Sequence, residues 1–377
     1  MIDPYEFLDE LKIKDFNFIT GVPDSLLKNF IKAIDDSFLS ENHVIAANEG
    51  NAIALAAGHY ISTNCPSIVY LQNSGLGNAI NPLVSLTDDK VYSIPMMLMI
   101  GWRGEPGTKD EPQHLKQGQI TEELLDILSI PYFKINSFSK IAEVLNIAFN
   151  KMNEISSPVA LLVSQDTFET VKFEIENNDL KLMSREQAIE EILSLLPSNS
   201  LVVSTTGMAS REVFEIREKK LQNHDQDFLT VGSMGHASSI ALMIANNLPS
   251  RLVVCIDGDG SVIMHMGSLG VIGQSNSRKF LHILLNNGSH DSVGGQPTVG
   301  HKVDFQSIAA SSGYLNSSFA NDIGTLKTEI NRLKFLSGPN FLEVQVKKGA
   351  RSDLGRPNLS PKENLANFMR NIHNENV

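Results

Sequence analysis

Asp259 stands between two glycines at the end of the apolar run RLVVCIDGDG, and Asn286-Asn287 close a second run, FLHILLNN, after an intervening helical pattern. In a parallel strand-helix-strand unit both strand ends emerge on one edge of the sheet, where open α/β folds bind ligands. An Asp and an Asn side-chain oxygen converging there, with a backbone carbonyl in the turn, suit a hard cation that takes oxygens in octahedral array, such as Mg2+. A metal so placed commonly bridges to ligand phosphates. Either string alone is an ordinary turn or strand exit; together, at this spacing, they point to a metal-assisted phosphate site. No GxxxxGK[ST] is present, and neither NSGLGN nor GDGSVI completes G-x-G-x-x-G, so other phosphate-binding folds are set aside.

The stretch GWRGEPGTKDEPQHLKQGQ, residues 101–119, carries the only tryptophan beside Arg103, Lys109 and His114, and its Gly and Pro content predicts a loop rather than a helix.

The elements that must position these residues are apolar runs of strand length alternating with helical patterns. They are FNFIT, HVIAA, SIVYL, IPMMLMI and PVALLV in the first half, then LVVST, RLVVCID, FLHILL and FLEVQV in the second. Continuous rather than alternating apolar strands predict parallel sheets covered on both faces. Between the halves, residues 167–184 lapse into charge and amides before Ser184 caps a new helix. The expected organisation is therefore an α/β domain over 1–166, a linker over 167–184 and a second α/β domain over 185–377. The halves echo each other in FITGVPDSLLKNF and VSTTGMASREVF, with Thr20-Gly21 and Thr206-Gly207 at matching places, which predicts two related doubly wound domains.

At 377 residues and 42% hydrophobic the chain can bury two cores. A net charge of -12 argues against a sequence-independent grip on nucleic acid. Cys65 and Cys255 lack metal or redox spacing and read as buried thiols of a reducing cytoplasm. The acidic, amphipathic start is no signal peptide, and runs such as IPMMLMI are too short to span a bilayer, so a cytoplasmic protein is expected.

The pairing of Gly-Asp-Gly with a later Asn-Asn resembles the thiamine diphosphate enzymes. The resemblance implies Asp259, Asn287 and the carbonyl of Ser289 as Mg2+ ligands, with Gly258, Gly260 and Ser261 also at the cofactor. It further implies a glutamate that drives the cofactor's aminopyrimidine to its imino form, and ANEGNAIALAAGHY supplies Glu49. Taken alone, Glu49 is equally a first-turn carboxylate behind an Asn48 cap. TVGSMGHASS offers Met234 to bend the cofactor and the carbonyl of Gly232 to face its amino group.

Most decarboxylases of this class carry a middle domain that this chain lacks. The compact pair resembles the phosphonopyruvate decarboxylases and their sulfopyruvate-acting relatives, most strongly in TGVPDS, NEGNAIALAAGHY, NNGSHDSVGGQPT and RSDLGRP. That resemblance implies a small 2-oxo acid substrate bearing a phosphonate, and a homo-oligomer with active sites at subunit interfaces. Asp24, His114 and His290 are candidates to protonate the carbon after CO2 leaves, although the paired histidines and later glutamate of pyruvate decarboxylases are not matched. Arg103, Lys109, His114, Arg351 and Arg356 are the cations near the expected site. In the 101–119 lid so implied, Gly104 and Gly107 allow closure and Trp102 anchors the base. Three alternatives remain at this stage, the nearest being sulfopyruvate decarboxylation by the same machinery. A 2-oxo acid oxidoreductase would need iron–sulfur ligands that two isolated cysteines do not supply, and a non-catalytic relative would have lost Glu49 or the metal ligands.

Overall fold

The computed structural model describes residues 1–172 and 181–374. Two compact units divide between Ile175 and Glu176. In the first, strands β1 (Ile19–Gly21), β2 (His43–Ile45), β3 (Ser67–Gln72), β4 (Met96–Gly101), β5 (Tyr132–Ile135) and β6 (Val159–Val163) form one sheet in the order β2-β1-β3-β4-β6-β5. In the second, β7 (Leu201–Ser204), β8 (Asp227–Leu229), β9 (Val253–Gly258), β10 (Phe280–Asn286), β11 (Asn316–Ala320) and β12 (Asn340–Gln345) take the order β11-β12-β10-β9-β7-β8. Every pairing is parallel. Counting strands from the start of each unit, the two orders are the same list read in opposite directions. The Thr-Gly echo falls at the end of β1 and just beyond the end of β7.

Each sheet is covered on both faces, by one apolar cluster per face. In the first unit Phe7, Phe30, Ile68, Met97 and Leu161 fill one side and Ala52, Val69, Leu98 and Leu162 the other. In the second, Val254, Ile283 and Leu342 face one cluster while Val253, Leu284 and Phe341 face the other. Central strands buried on two faces account for their unbroken apolar sequences. Three strands not foreseen, β5, β8 and β11, are edge strands or lie at a sheet's end, where less apolar surface is demanded; β11 reads NSSFA and only Ala320 of it is buried.

Three expectations need correction. The 101–119 stretch is not loop throughout, because a helix runs Pro112–Ile127. Pro112 occupies its first turn, where the missing N–H costs nothing and the fixed φ suits the helix. Cys65 is half-buried, whereas Cys255 is buried as expected. The segment from 167 does not leave the first unit at once. Ile2 N–H donates to Thr167 O (2.8 Å), Glu169 N–H donates to Ile2 O (2.8 Å), and Phe168 packs on Phe7 and Phe30 at ring separations of 5.4 and 5.6 Å. The expected linker also covers residues 173–180, which lie outside the described residues. Ser184 does cap helix Arg185–Leu195, in a reciprocal box with Gln187. No helix among the described residues is long and apolar enough to cross a membrane.

Phe168→Ala empties a ring site between two other rings, and the first unit is expected to lose about 3–5 kcal/mol. Urea denaturation followed by circular dichroism measures this; a loss under 1 kcal/mol would mean that the segment is not part of that core.

Candidate active site

In the first unit four consecutive strands deliver polar side chains to the same sheet edge. Asp24 follows β1, Glu49 follows β2, Asn73 follows β3 and Arg103 follows β4. Glu49 opens helix Glu49–Thr63, whose Asn48 cap accepts from Asn51 N–H (2.9 Å). Its carboxyl is buried and accepts from Asn78 Nδ2 (2.7 Å). Burial raises its pKa against the opposing pull of that hydrogen bond. Gly75 makes the burial possible: a Cβ there would lie 2.3 Å from Glu49 Oε1. A helix-start carboxylate serving only the dipole would sit in water, so the pocket is more than a cap requires.

Asp24 is fully buried, with Oδ2 accepting from Leu26 N–H (3.0 Å) and Oδ1 without a hydrogen-bond partner. Gly101 borders it so closely that a Cβ would lie 2.0 Å from Oδ2. Desolvation pushes its pKa up to about 6, with Arg103 and backbone N–H groups pulling the other way. This is a buried acid poised to hold or release a proton near neutral pH.

The loop beyond β4 is clasped from within. Arg103 Nε donates to Asp110 Oδ2 (2.8 Å), Nη2 donates to Asp110 Oδ1 (2.5 Å) and Nη1 donates to Ser25 Oγ (2.7 Å). Asp110 also accepts from Gly104 N–H (2.8 Å) and Glu111 N–H (2.7 Å). Although desolvation opposes it, this ring of donors holds the Asp110 carboxyl far below the usual range. Trp102 is buried, donates from Nε1 to Gly118 O (3.0 Å), and has Lys134 Nζ 4.9 Å over its ring. His114 Nδ1 lies 3.9 Å from Asp110 Oδ2, while Lys109 is exposed.

In the second unit the register pairs Gly258 with Leu285, so Asp259 and Asn286 leave neighbouring strands side by side. The loop from Asn287 to Gly300 folds back onto Asp259. The Thr298 hydroxyl donates to Asp259 Oδ2, Gly300 N–H donates to Thr298 Oγ1 (3.0 Å), and Asn286 Nδ2 donates to Gly300 O (2.9 Å). Asp259, Asn287 and Ser289 are all buried. Burial pushes the Asp259 carboxyl up to about 6 against the pull of Thr298 and backbone N–H groups. A buried acid flanked by an Asn and a turn carbonyl is a donor set that a divalent cation fits. Ser289 Oγ, Gln296 Oε1 and His265 Nε2 are buried there without hydrogen-bond partners.

Ser261 joins this turn to two other loops: its hydroxyl accepts from Gly235 N–H (3.0 Å) and lies 3.1 Å from Thr205 Oγ1. Gly232 and Met234 belong to the same loop, in which Ser233 takes φ 57°, a conformation that costs a non-glycine residue energy. Met234 is half-exposed rather than a core residue. A Cβ on Gly260 would meet His290 Cε1 at 2.9 Å and Met234 Cε at 3.7 Å, so imidazole and thioether converge on the Gly-Asp-Gly turn. Desolvation holds His290 down at about 4, against the pull of Asp291, so it is neutral at physiological pH.

Thr205, Thr298, Gln296 and His265 were not foreseen. Thr298 lies 39 residues from Asp259 in sequence, a separation that no local pattern reveals. One further group, Cys255, Asp257 and His282, is close enough to share a cation but is wholly buried. His282 is instead taken up between Tyr314 Oη (3.0 Å) and Asp257 Oδ2 (3.4 Å), and Asp257 Oδ1 accepts from Gly258 N–H (3.0 Å). Arg351, one of the cations expected near the site, is instead paired with Glu186, Glu215 and Asp353.

Asp24 supplies a pH test. Its folded pKa of about 6 lies above its unfolded value, so the folded chain binds more protons through the intervening range and stability falls as pH rises across it. Asp24→Asn removes this cost. The variant is expected to be more stable than wild type at pH 7.5, by up to about 3 kcal/mol of unfolding free energy, with the difference vanishing near pH 4. Equal or lower stability of the variant at both pH values would overturn the assignment of a raised pKa.

Comparison with known proteins places both units. Residues 6–130 match the thiamine pyrophosphate enzyme N-terminal TPP binding domain, and residues 205–344 match the thiamine pyrophosphate enzyme C-terminal TPP binding domain. A phosphonopyruvate decarboxylase of Streptomyces viridochromogenes is 34% identical over 370 residues, covering 93% of this chain and 90% of that one. One from Streptomyces hygroscopicus is 31% identical, covering 98% and 93%. A sulfopyruvate decarboxylase of Methanosarcina acetivorans is 26% identical, covering 99% and 98%. With two matching TPP-binding domains, relatives that align along nearly their whole length, and a buried donor set that fits the metal, the chain belongs to the thiamine pyrophosphate enzymes, in the family of the phosphonopyruvate decarboxylases.

Proposed function

We propose that the chain decarboxylates 3-phosphonopyruvate to phosphonoacetaldehyde and CO2, using thiamine diphosphate and Mg2+, as a cytoplasmic step of phosphonate biosynthesis. The observation that carries the chemistry is the buried Glu49 carboxyl with its raised pKa, and the choice of substrate rests on the full-length likeness to phosphonopyruvate decarboxylases. When bound, thiamine diphosphate supplies a thiazolium carbon that adds to the 2-oxo group and accepts the electron pair released as CO2 departs.

The residues divide that work. Asp259 and Asn287 side-chain oxygens and the Ser289 carbonyl would hold Mg2+, which would supply positive charge for the cofactor's phosphates, with Gly258, Gly260 and Ser261 lining the turn. Met234 would support the cofactor from below, and the Gly232 carbonyl would accept from its amino group. Glu49, retaining a proton more readily than an exposed acid, hydrogen-bonds the pyrimidine nitrogen and holds the tautomer needed for deprotonation. Asp24, buried with one oxygen unpartnered and its carboxyl pushed up to about 6, is the first candidate to return a proton to carbon; His114 and His290 are the other candidates, though a neutral His290 serves better as an acceptor. Lys109, with His114 and Arg103, meets the phosphonate, Arg103 by reorienting donors not used in its clasp. The active protein is proposed to be a homo-oligomer in which subunits complete one another's sites.

Glu49→Gln is expected to bind thiamine diphosphate yet lose turnover by about a hundredfold or more, measured as CO2 release with cofactor binding followed by calorimetry. Activity close to wild type removes Glu49 from the mechanism. Offered each acid separately, the enzyme should release CO2 faster from phosphonopyruvate; faster release from sulfopyruvate would transfer the same mechanism to the sulfonate. Lys109→Ala should raise KM for phosphonopyruvate, and an unchanged KM excludes Lys109 from the phosphonate.

A further inference from the structure

Only one end of an asparagine side chain can bind a cation. The amide oxygen is an acceptor, and the NH2 group offers only donors. A metal-binding asparagine therefore needs something that sets which end faces the ion. Asn287 is buried, and its Nδ2 donates to Asp291 Oδ2 at 2.6 Å. An ionised carboxylate accepts hydrogen bonds and donates none, so this contact admits the NH2 end and excludes the oxygen. Turned over, Asn287 would set its Oδ1 against a carboxylate oxygen. In the observed orientation Oδ1 lies on the other side, where it accepts from Ser289 N–H (3.1 Å) and retains a second lone pair.

Asp291 is itself immobilised. Its Oδ2 also accepts from Arg185 Nη1 (2.9 Å) and from Gly349 N–H (2.9 Å). Arg185 is buried and gripped from behind by Glu212, through Nε to Oε2 (2.8 Å) and Nη2 to Oε1 (3.1 Å). The C-terminal segment is tied down nearby: Lys347 N–H donates to Met183 O (3.0 Å), Gly355 N–H donates to Glu215 Oε1 (2.6 Å), and Arg351 pairs with Glu186 and Glu215. One carboxylate oxygen thus gathers a metal-ligand amide, a buried guanidinium and the backbone of the C-terminal strap.

We infer that Asp291, held by Arg185, is a positioning residue that fixes the amide of Asn287 with its oxygen toward the cation. It also couples the 347–356 segment to the metal site. In this role Asp291 and Arg185 act through Asn287. The inference rests on the assignment of Asn287 as a Mg2+ ligand.

The test uses the full chain, freed of metal with EDTA and saturated with thiamine diphosphate. Mg2+ is titrated while the circular dichroism of bound cofactor and the rate of CO2 release are followed. Asp291→Ala is expected to raise the half-saturating Mg2+ concentration by about tenfold to a hundredfold, the range typical of partners that orient metal ligands. Saturating Mg2+ should then restore most of kcat with KM for the 2-oxo acid unchanged. Asp291→Asn, whose oxygen can still accept from Asn287, should shift less, and Arg185→Met should shift in the same direction. Should Asp291→Ala fail to fold, Asp291→Asn and Arg185→Met carry the test. A melting temperature lowered in EDTA together with an unshifted Mg2+ titration would show a merely structural role and overturn the inference. Asp259→Ala separates the two levels. If it loses Mg2+ dependence while the Asp291 and Arg185 variants titrate as wild type, the positioning role fails alone; if it too titrates as wild type, the metal assignment beneath it fails.

Discussion

A carboxyl group removed from water must find a proton, a donor or a cation, and the polar chemistry of this protein is arranged around that constraint. Asp24, Glu49 and Asp259 are each buried at the end of a strand or just beyond it, and desolvation is the largest influence on all three. Each is under-compensated by the chain: Glu49 has Asn78, Asp259 has Thr298, and Asp24 leaves one oxygen without a partner. Where the chain needs a carboxylate purely for structure it behaves otherwise. Asp110 receives Arg103 in a fork together with two backbone N–H groups, which hold its carboxyl far below the usual range although burial opposes them. The difference separates groups left ready for a ligand from groups already satisfied.

The parallel sheet makes such an edge possible. Its strands pass through a dry interior and end together, so loops from consecutive strands converge without long excursions. Both units use the same strand order, yet the edges are furnished differently. The first presents acids beside a clasped loop; the second presents a turn, an asparagine loop and three hydroxyl-bearing residues, Thr205, Ser261 and Thr298, that knit the loops together. A single architecture thereby furnishes buried acids beside a clasped loop in one unit and a buried acid laced by hydroxyls in the other.

The stretch with the lone tryptophan shows how the same cation can read differently before and after folding. Arg103 has the composition of a substrate ligand, in a glycine-rich loop beside histidine and lysine. Folded, most of its donors close the loop on Asp110 and Ser25. Trp102 roots the loop by burying its ring and hydrogen-bonding the following helix. Lys109 is left at the exposed part of the loop, and the positive charge available to an anion shifts toward it.

The sequence by itself determined the fold class, the nine apolar strands and the cap at Ser184 that opens the second unit's first helix. These are written in local patterns: unbroken apolar runs for strands buried on two faces, and short polar strings at their ends. It left β5, β8 and β11 unseen because edge strands need fewer apolar residues, and it concealed the helix at Pro112 because proline and glycine suggest a break unless their position is known. Only the tertiary structure decided which carboxyls are dry, that Thr298 returns to Asp259 and that Arg103 is clasped by Asp110 and Ser25. It alone brought Asp291, Arg185 and Gly349 together behind Asn287. Those outcomes depend on contacts between residues far apart in the chain and on the exclusion of water, and neither is expressed in the order of residues within any one segment.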